Sequence, residues 1–311
     1  MALLALSEDE QRILFTQLCN VLDPRGAVDF SSTNSGLWVL MQALRQQLRT
    51  DHEVAAALCL KLGMRSCKEL REARVLSWFN KGLAAADLEV LGTLGSVLPA
   101  LERLMLNEAA AGAAGPDGVQ RLVAGLGASA LPALITFALD KMYVGDAGAS
   151  ALAAALGRGA LPRLKTLALT NAAIGDVGLV ALAPALRRLP ALVSLNLGND
   201  PYGDEALVLM GNPFGDEGLA ALLAPLPPPP AGALPPPTGV LTKLKELYLD
   251  NTQITDAGCA ALAAALDGAV LPALEDLNLR RILASEAAKD ALMERFPADS
   301  DYDSDDSDEE F

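Results

Sequence analysis

The sequence predicts an α/β solenoid in which short parallel strands alternate with helices along stacked repeats. Segments of the LPxL type recur from Leu98 to Leu271 at intervals of 33, 30, 28, 52 and 30 residues. Alternating leucines, a turn and an Ala/Leu-rich stretch follow most of them. Hydrophobic residues make up 51% of the chain but aromatic residues only 4%. This composition favours many thin, similar layers over one deep aromatic core.

The fullest unit, 161–188, reads LPRLKTLALTNAAIGDVGLVALAPALRR. Its LxxLxL alternation predicts a short strand with one buried face. A Gly-Asp turn follows, and because aspartate is a preferred helix N-cap, we expect Asp146, Asp176 and Asp256 to cap the helices that they precede. The ALAAAL stretches place leucines three and four apart, as a one-sided helix requires. One unit cannot bury its leucines alone, so neighbouring units must stack.

This pattern resembles leucine-rich repeats of the ribonuclease-inhibitor type over about Ala73 to Phe296. Residues 242–266, TKLKELYLDNTQITDAGCAALAAAL, carry nearly all of the motif LxxLxLxxNxIxDxGxxxLAxAL. The resemblance implies a curved solenoid with parallel strands on the concave face and helices on the convex face. It also implies that the residues between the strand leucines point to the concave surface.

The long interval contains a doubled stretch, LNLGNDPYGDEA followed by LVLMGNPFGDEG, at 195–218. Twelve residues cannot hold a strand, a turn and a helix, so the two halves cannot both be complete repeats. We expect Leu195 and Leu197 to take the regular strand position. Gly215 to Gly218 should then cap a helix from Leu219 to Leu223, while residues from about 200 to 211 bulge outward or add a short irregular strand.

The concave residues of the middle repeats are small, whereas those of the last two repeats are charged and include an aromatic. Tyrosine and arginine are common binding anchors, and repeat proteins often bind on their concave faces. We therefore predict a protein-binding patch on the last two repeats. The alternative is an ordinary solvated strand face. The patch comprises Glu246, Tyr248, Asp250, Asp276, Asn278 and Arg280.

The first 66 residues lack the repeat and predict three helices, over Glu8–Val21, Gly36–Leu48 and His52–Leu62. Ser7 and Glu10 have the spacing of a capping box. The string LSEDEQRILFTQLCNVLDP resembles the start of an F-box, the module that docks onto the adaptor of cullin-type ubiquitin ligases. Positions that fit the F-box pattern are Leu6, Ile13, Leu14, Leu18, Leu22-Asp23-Pro24, Phe30 and Leu37. The alternative is a helical cap that closes the open end of the solenoid.

The predicted organisation is therefore a helical segment at 1–66, repeats at 67–296 with a proline-rich loop at 225–239, and an acidic tail at 297–311. The net charge is −15, and the tail supplies eight of the acidic residues, which leaves about −7 for the rest. We expect the tail to be disordered, because it repels itself and has little to bury. A basic protein partner fits this charge; nucleic acid does not, because phosphate binding needs a basic patch.

No chemistry-bearing motif stands out. The four cysteines are scattered, His52 is the only histidine, and neither GxxxxGK[ST] nor HExxH is present. We expect His52 to lie on a solvated helix face. The sequence therefore predicts no metal, no cofactor and no enzymatic activity. With no run of 18 uncharged apolar residues and no convincing signal peptide, we expect an intracellular protein, cytoplasmic or nuclear, without a membrane span.

The predicted function is a non-catalytic scaffold that binds a protein partner on the concave face of the repeats. One alternative is an F-box-like substrate receptor of a ubiquitin ligase, which would recruit the adaptor through residues 1–66. A second alternative is a GTPase activator, because repeats of this type followed by an acidic tail resemble the Ran-type GTPase activators.

Overall fold

A computed structural model of the chain describes residues 7–33, 35–108, 114, 117–198, 212–224, 241–268 and 270–296. The described residues form one parallel sheet whose seven strands follow one another in sequence order. Each of these strands is followed by a helix, and successive helices pack side by side. The strands are β1 (Val75–Phe79), β2 (Arg103–Asn107), β3 (Thr136–Asp140), β4 (Thr166–Thr170), β5 (Ser194–Asn196), β6 (Glu246–Tyr248) and β7 (Asp276–Asn278).

The helices of the described residues fall into two groups. Five precede the sheet: α1 (Glu8–Leu18), α2 (Arg25–Ser31), α3 (Ser35–Leu40), α4 (Gln42–Lys61) and α5 (Cys67–Glu72). Seven alternate with the strands: α6 (Ala85–Thr93), α7 (Gly118–Ala124), α8 (Gly145–Gly157), α9 (Asp176–Leu186), α10 (Asp216–Leu223), α11 (Asp256–Asp267) and α12 (Glu286–Met293). A 3₁₀ turn, Leu94–Val97, follows α6.

The inward-facing apolar residues of the strands align in register across the sheet, for example Leu104, Phe137 and Leu167. All three are buried, and they belong to one hydrophobic core that runs from the end of α4 to Leu292 in α12. Burying a leucine side chain contributes about 1.5–3 kcal/mol. Because each repeat packs on its neighbours, the predicted α/β solenoid of parallel strands and outer helices is confirmed.

The aspartates of the Gly-Asp turns do not cap the helices that they precede, so that expectation was wrong. Asp176 is the first residue of α9, and its carboxylate accepts hydrogen bonds from the amides of Gly215 and Gly218, both at 2.8 Å, at the start of the next helix. The aspartate thus supplies the cap of the following repeat. The same contact joins Asp146 to Gly175 and Gly178, Asp216 to Thr255, and Asp256 to Ser285.

This inter-repeat aspartate ladder also explains the second glycine of the turn. A Cβ atom on Gly178 would lie 2.5 Å from Oδ1 of Asp146, and one on Gly258 would lie 2.3 Å from Oδ1 of Asp216. Real Cβ atoms do not approach an oxygen so closely. The spacing GDxG is therefore required by the incoming carboxylate of the preceding repeat.

The doubled stretch contributes its strand from the first half and its helix from the second half, as predicted, but the helix begins three residues earlier than the predicted Leu219. Leu195 pairs with Leu167 and Leu247 in β5, and α10 starts at Asp216. Asn212 is fully buried. Its side-chain amide donates to the carbonyl of Leu169 in β4 and to the carbonyl of Leu197, directly after β5. Its Oδ1 accepts the amide of Ile174 at 3.0 Å. The expected bulge at about 200–211 lies outside the described residues, as do the proline-rich loop and the acidic tail.

The helices before the sheet differ in part from the predicted ones. The first ends at Leu18 and its Ser7–Glu10 capping box is confirmed. The second and third predicted helices are instead α3 and the single long α4, and α2 was not predicted. A small separate core holds Phe15, Leu37 and Leu48, whereas the second half of α4 joins the core of the repeats. Helix α4 therefore links two hydrophobic cores and covers the first repeat.

Candidate binding surface on the concave face

Three rows of side chains cross the concave face, because the strands pair without a shift in register. The first row, at the start of the strands, joins Val75, Arg103, Thr136, Thr166, Ser194, Glu246 and Asp276. The middle row joins Ser77, Met105, Ala138, Ala168, Asn196, Tyr248 and Asn278. The third row lies at or just after the last residue of each strand. Each row is a straight path across the repeats on which a bound chain can lie.

The predicted patch is brought together on β6, β7 and the residues after them. Tyr248 donates its hydroxyl hydrogen to Oδ2 of Asp276 at 2.7 Å, which fixes the half-buried ring across two strands. Glu246 lies opposite Asp276, and Asn278 lies opposite Tyr248. Since Glu246, Tyr248 and Asp276 share one small area, the structure places a held aromatic ring beside two carboxylates.

Asp250 and Arg280 lie past the ends of β6 and β7. The Asp250 side chain is only 8% exposed, so it is less available to a partner than the sequence suggests. A Cβ on Gly198 would lie 2.1 Å from Oδ1 of Asp250, which shows that this carboxylate occupies the space beside the glycine of the preceding repeat. Arg280 is exposed, and its amide donates to Oδ1 of Asn278 at 3.1 Å. Asp250 therefore has a structural position, while Arg280 stands at the surface.

Several polar side chains near the ends of β2, β3 and β4 hydrogen-bond to one another. Asp140 accepts hydrogen bonds from Nδ2 of Asn107 and from the hydroxyl of Thr170, the latter at 2.6 Å. Thr170 is buried. This part of the face offers few unsatisfied groups to a ligand, in agreement with the small side chains predicted for the middle repeats.

An apolar area at the other end of the face was missed by the sequence reasoning. Strand β1 alternates between exposed and buried residues, and Val75 and Phe79 are 45% and 60% exposed. Met105 of β2 lies beside them, opposite Ser77. The signal was available in VLSWF, in which Leu76 and Trp78 occupy the two inward positions of a strand. The first repeat was too irregular in its leucines for its concave residues to be assigned.

The described residues offer little for catalysis. Nδ1 of His52 lies 2.6 Å from the carbonyl oxygen of Val21, and the side chain is partly buried, so the expectation of a solvated histidine was wrong. No cluster of three or more metal-ligating side chains occurs among the described residues. Burial, with the nearby Cys67, raises the pKa of the Cys59 thiol to about 12, so it stays protonated at neutral pH.

A cleft of about 600 Å³ lies between α2, α4 and α5, beside His52. Asp23 stands in its wall and is paired with Arg25 at 2.8 Å and with Arg71 at 3.3 Å. These ion pairs are exposed and contribute little to stability. The guanidinium groups hold the pKa of the Asp23 carboxyl below its usual value, with the hydrogen bond from Arg25 as the main cause. The charged groups Asp23, Arg25 and Arg71 in the wall of this cleft are thus paired with one another.

The geometry defines a class of protein, a repeat solenoid that presents a parallel sheet on one face. Comparison with protein families agrees, because a model described as Leucine Rich repeat matches residues 161–183, 205–223 and 240–263. The fold is therefore a leucine-rich repeat solenoid, and three segments of the chain match the repeat model. No curated protein matches the chain.

Two solved structures illustrate the likeness. The crystal structure of a TLR13–ssRNA13 complex is 18% identical with a TM-score of 0.39, and the match covers 72% of this chain but only 25% of that one. An internalin (inlF) from Listeria monocytogenes str. 4b F2365 is 14% identical with a TM-score of 0.19, over 80% of this chain and 94% of that one. At these values neither likeness bears on function. Within the described part of the chain, no helix has the length and apolar character needed to cross a membrane.

Proposed function

We propose that this protein is a non-catalytic scaffold that holds a protein partner on the concave face of its repeats. The observation that carries the proposal is the Tyr248 ring, which is fixed by Asp276 on a continuous parallel sheet. An aromatic side chain that is already held loses little conformational entropy on binding, and such residues often supply most of the binding energy. The scaffold role is also the general role of leucine-rich repeat proteins.

The charges around Tyr248 indicate the chemistry of the partner. Glu246 and Asp276 flank the ring, and the whole chain carries a net charge of −15. Complementary charge speeds association and rejects acidic partners. We therefore expect the partner to present a basic surface to β6 and β7, and we expect the affinity to fall as salt is added.

Two finer assignments belong to the same proposal. The repeats fit the ribonuclease-inhibitor type, because an α-helix follows each strand of the described residues. The scaffold is expected to be intracellular, and its thiols fit this expectation, since the cysteines of the described residues are unpaired.

The test is affinity purification with the full chain, beside Tyr248→Ala and a matched control, Tyr143→Ala. Tyr143 lies in the loop after β3 and is 48% exposed, so both variants remove an accessible tyrosine ring. The proposal requires a specific partner that binds the wild type and the control alike and binds Tyr248→Ala at least tenfold more weakly. Equal binding to all three proteins would place the interaction elsewhere.

A second candidate function, recruitment of a ubiquitin-ligase adaptor, is favoured by the helical segment before the sheet. This segment has its own core, yet Ile13, Leu18, Trp38 and Val39 remain 57%, 43%, 46% and 69% exposed. Of the F-box-like positions, Leu37 is buried while Ile13 and Leu18 are exposed. Exposed apolar side chains on a folded helical unit often mark a protein contact.

This second candidate is tested with the purified adaptor of a cullin-type ligase and the full chain. Ile13→Asp should abolish the complex, whereas Val177→Asp, an equally apolar and 71% exposed position on α9, should not. If the adaptor does not bind the wild type, the helical segment serves only as the cap of the repeats. The Ran-type GTPase activator stays a prediction, which an assay of GTP hydrolysis by Ran addresses.

A further inference from the structure

We infer that the concave face recognises a two-part motif in an extended segment of its partner. One large apolar side chain of this segment is seated against Phe79 and Met105, and one lysine or arginine binds between Glu246 and Asp276. About seven residues separate the two anchors. The inference rests on the proposed function, because it names the chemistry of the partner that the concave face would hold.

The apolar anchor site is formed by the first two strands. Phe79 is 60% exposed and Val75 is 45% exposed on the outer face of β1, and Met105 follows on β2. An aromatic, a branched and a flexible thioether side chain together give an adaptable apolar surface. Arg103, which is exposed and directly opposite Val75, rejects a basic group at this end. The apolar anchor of the segment is therefore expected at this end of the face and the basic anchor at the other.

The cation site is formed by two carboxylates that stand directly opposite each other. Glu246 of β6 pairs in register with Asp276 of β7, and like charges in this position destabilise a sheet. Among the described residues, no lysine or arginine forms an ion pair with either carboxylate. The adjacent pair, Lys245 and Glu275, is matched in charge at 2.6 Å. A local arrangement that costs stability is typical of a functional site, and a bound cation would relieve the repulsion.

A shallow path connects the two sites. The middle row between Met105 and Tyr248 consists of Ala138, Ala168 and Asn196. The two alanine methyl groups leave room for a peptide backbone to approach the sheet. The partner segment can therefore lie across the strands along this row, with its side chains reaching the apolar site at one end and the two carboxylates at the other.

The spacing of the two anchors follows from the geometry of the sheet. Five strand-to-strand steps separate the apolar site on β1 and β2 from the cation site on β6 and β7. At about 4.8 Å per step the separation is about 24 Å, and an extended chain advances about 3.3 Å per residue, which gives about seven residues.

The test uses the full chain and a series of fluorescein-labelled Gly/Ser peptides. Each peptide carries one leucine and one arginine separated by three, five, seven, nine or eleven residues, and its affinity is measured by fluorescence anisotropy. We expect an optimum at six to eight residues, about tenfold tighter than at three. Affinity that does not depend on spacing, or the absence of binding for all peptides, would overturn the inference.

Two variants separate recognition from folding. Glu246→Gln/Asp276→Asn removes the repulsion and keeps an acceptor for Tyr248, so we expect the melting temperature to rise while the affinity for the best peptide falls at least tenfold. Phe79→Ala should weaken the same peptide about tenfold. Glu217→Gln/Asp290→Asn, which removes two exposed charges on α10 and α12, is the control and should change neither quantity strongly. If the first variant binds the peptide as tightly as the wild type, the cation site is wrong.

These outcomes are distinct from a failure of the proposed function. A partner whose capture depends on Tyr248, combined with peptides that show no spacing optimum, would leave the scaffold in place and remove the two-part motif. A partner that binds independently of Tyr248 would remove the scaffold surface on which the motif depends.

Discussion

The helical segment before the sheet and the repeat array are stabilised in different ways. The segment relies on a small core around Phe15, Leu37 and Met41, and it leaves Trp38 46% exposed under the guanidinium of Arg45. The array shares one core along its whole length and is joined from repeat to repeat by the aspartate ladder. One region is a local unit, and the other is held together by contacts between neighbours.

This difference predicts that the repeat array is the more rigid region and the helical segment the more easily opened one. A face carried by coupled repeats can hold side chains such as Tyr248 in place before a partner arrives, which lowers the entropic cost of binding. A small core of few residues opens more readily, because local stability varies across a structure. The comparison holds only if the two regions respond separately to mutation.

The largest expected effect comes from a mutation that unfolds the helical segment and leaves the repeat array folded. Phe15→Ala removes a fully buried ring and should destabilise the small core by about 3–5 kcal/mol. The chain has two tryptophans, so Trp78→Phe and Trp38→Phe backgrounds report the segment and the array separately by fluorescence in a urea titration. We expect only the Trp38 signal to shift. Phe137→Ala, in the array core, is the converse control. A common shift of both signals would mean a single cooperative unit.

A smaller effect tests the ladder that joins the repeats. Asp176→Ala leaves the amides of Gly215 and Gly218 without their acceptor, which should cost the array about 2 kcal/mol. The measurement is the midpoint of the Trp78 fluorescence transition in urea. Glu217→Ala, an exposed carboxylate in the same turn, is the matched control and should change the midpoint little. An equal loss in both variants would show that the ladder contributes nothing beyond charge.

The smallest effect concerns the cap of α1. Ser7→Ala removes the capping box, so hydrogen exchange should speed up about three- to tenfold in α1 alone. The amide and hydroxyl of Ser7 donate to Glu10 and hold the pKa of that carboxyl below its usual value. The cap is therefore fully present above the ordinary glutamate pKa and is lost as pH falls through the lowered one. In Ser7→Ala the hydroxyl bond to Glu10 is lost but the amide bond stays, so this acid-sensitive part of α1 protection should shrink without vanishing. An unchanged acid-sensitive part would contradict the account.

The parts of the fold that could be predicted were those that repeat. The alternation around Leu167 and Leu195 indicated strands, and the strand of the duplicated stretch was assigned correctly because its spacing from Leu189 kept the register. The ladder could not be predicted from one repeat, because Asp176 resembles a local helix cap and its true partners lie about 40 residues away in the next repeat. The hydrogen bonds of the buried Asn212 could not be predicted for the same reason, because they also reach a neighbouring repeat.

The candidate surface was predictable only in outline. Strand periodicity placed Glu246, Tyr248 and Asp276 on one face, but it could not show that Asp250 is buried beside Gly198. The exposed position of Phe79 on this face was not predicted, because the first repeat lacks the regular leucine spacing. Exposure depends on the neighbouring strand, and a single sequence does not contain that information.

The central claim, that a partner is held on the concave face, is tested most directly by hydroxyl-radical footprinting of the full chain with and without its purified partner. The account predicts that oxidation of Met105 and Tyr248 falls on binding. Met293, which is 41% exposed on α12, and Trp38 of the helical segment should react as before. Protection of Met293 or Trp38 with Met105 and Tyr248 unchanged would contradict the claim and move the binding site to the convex face or to the helical segment.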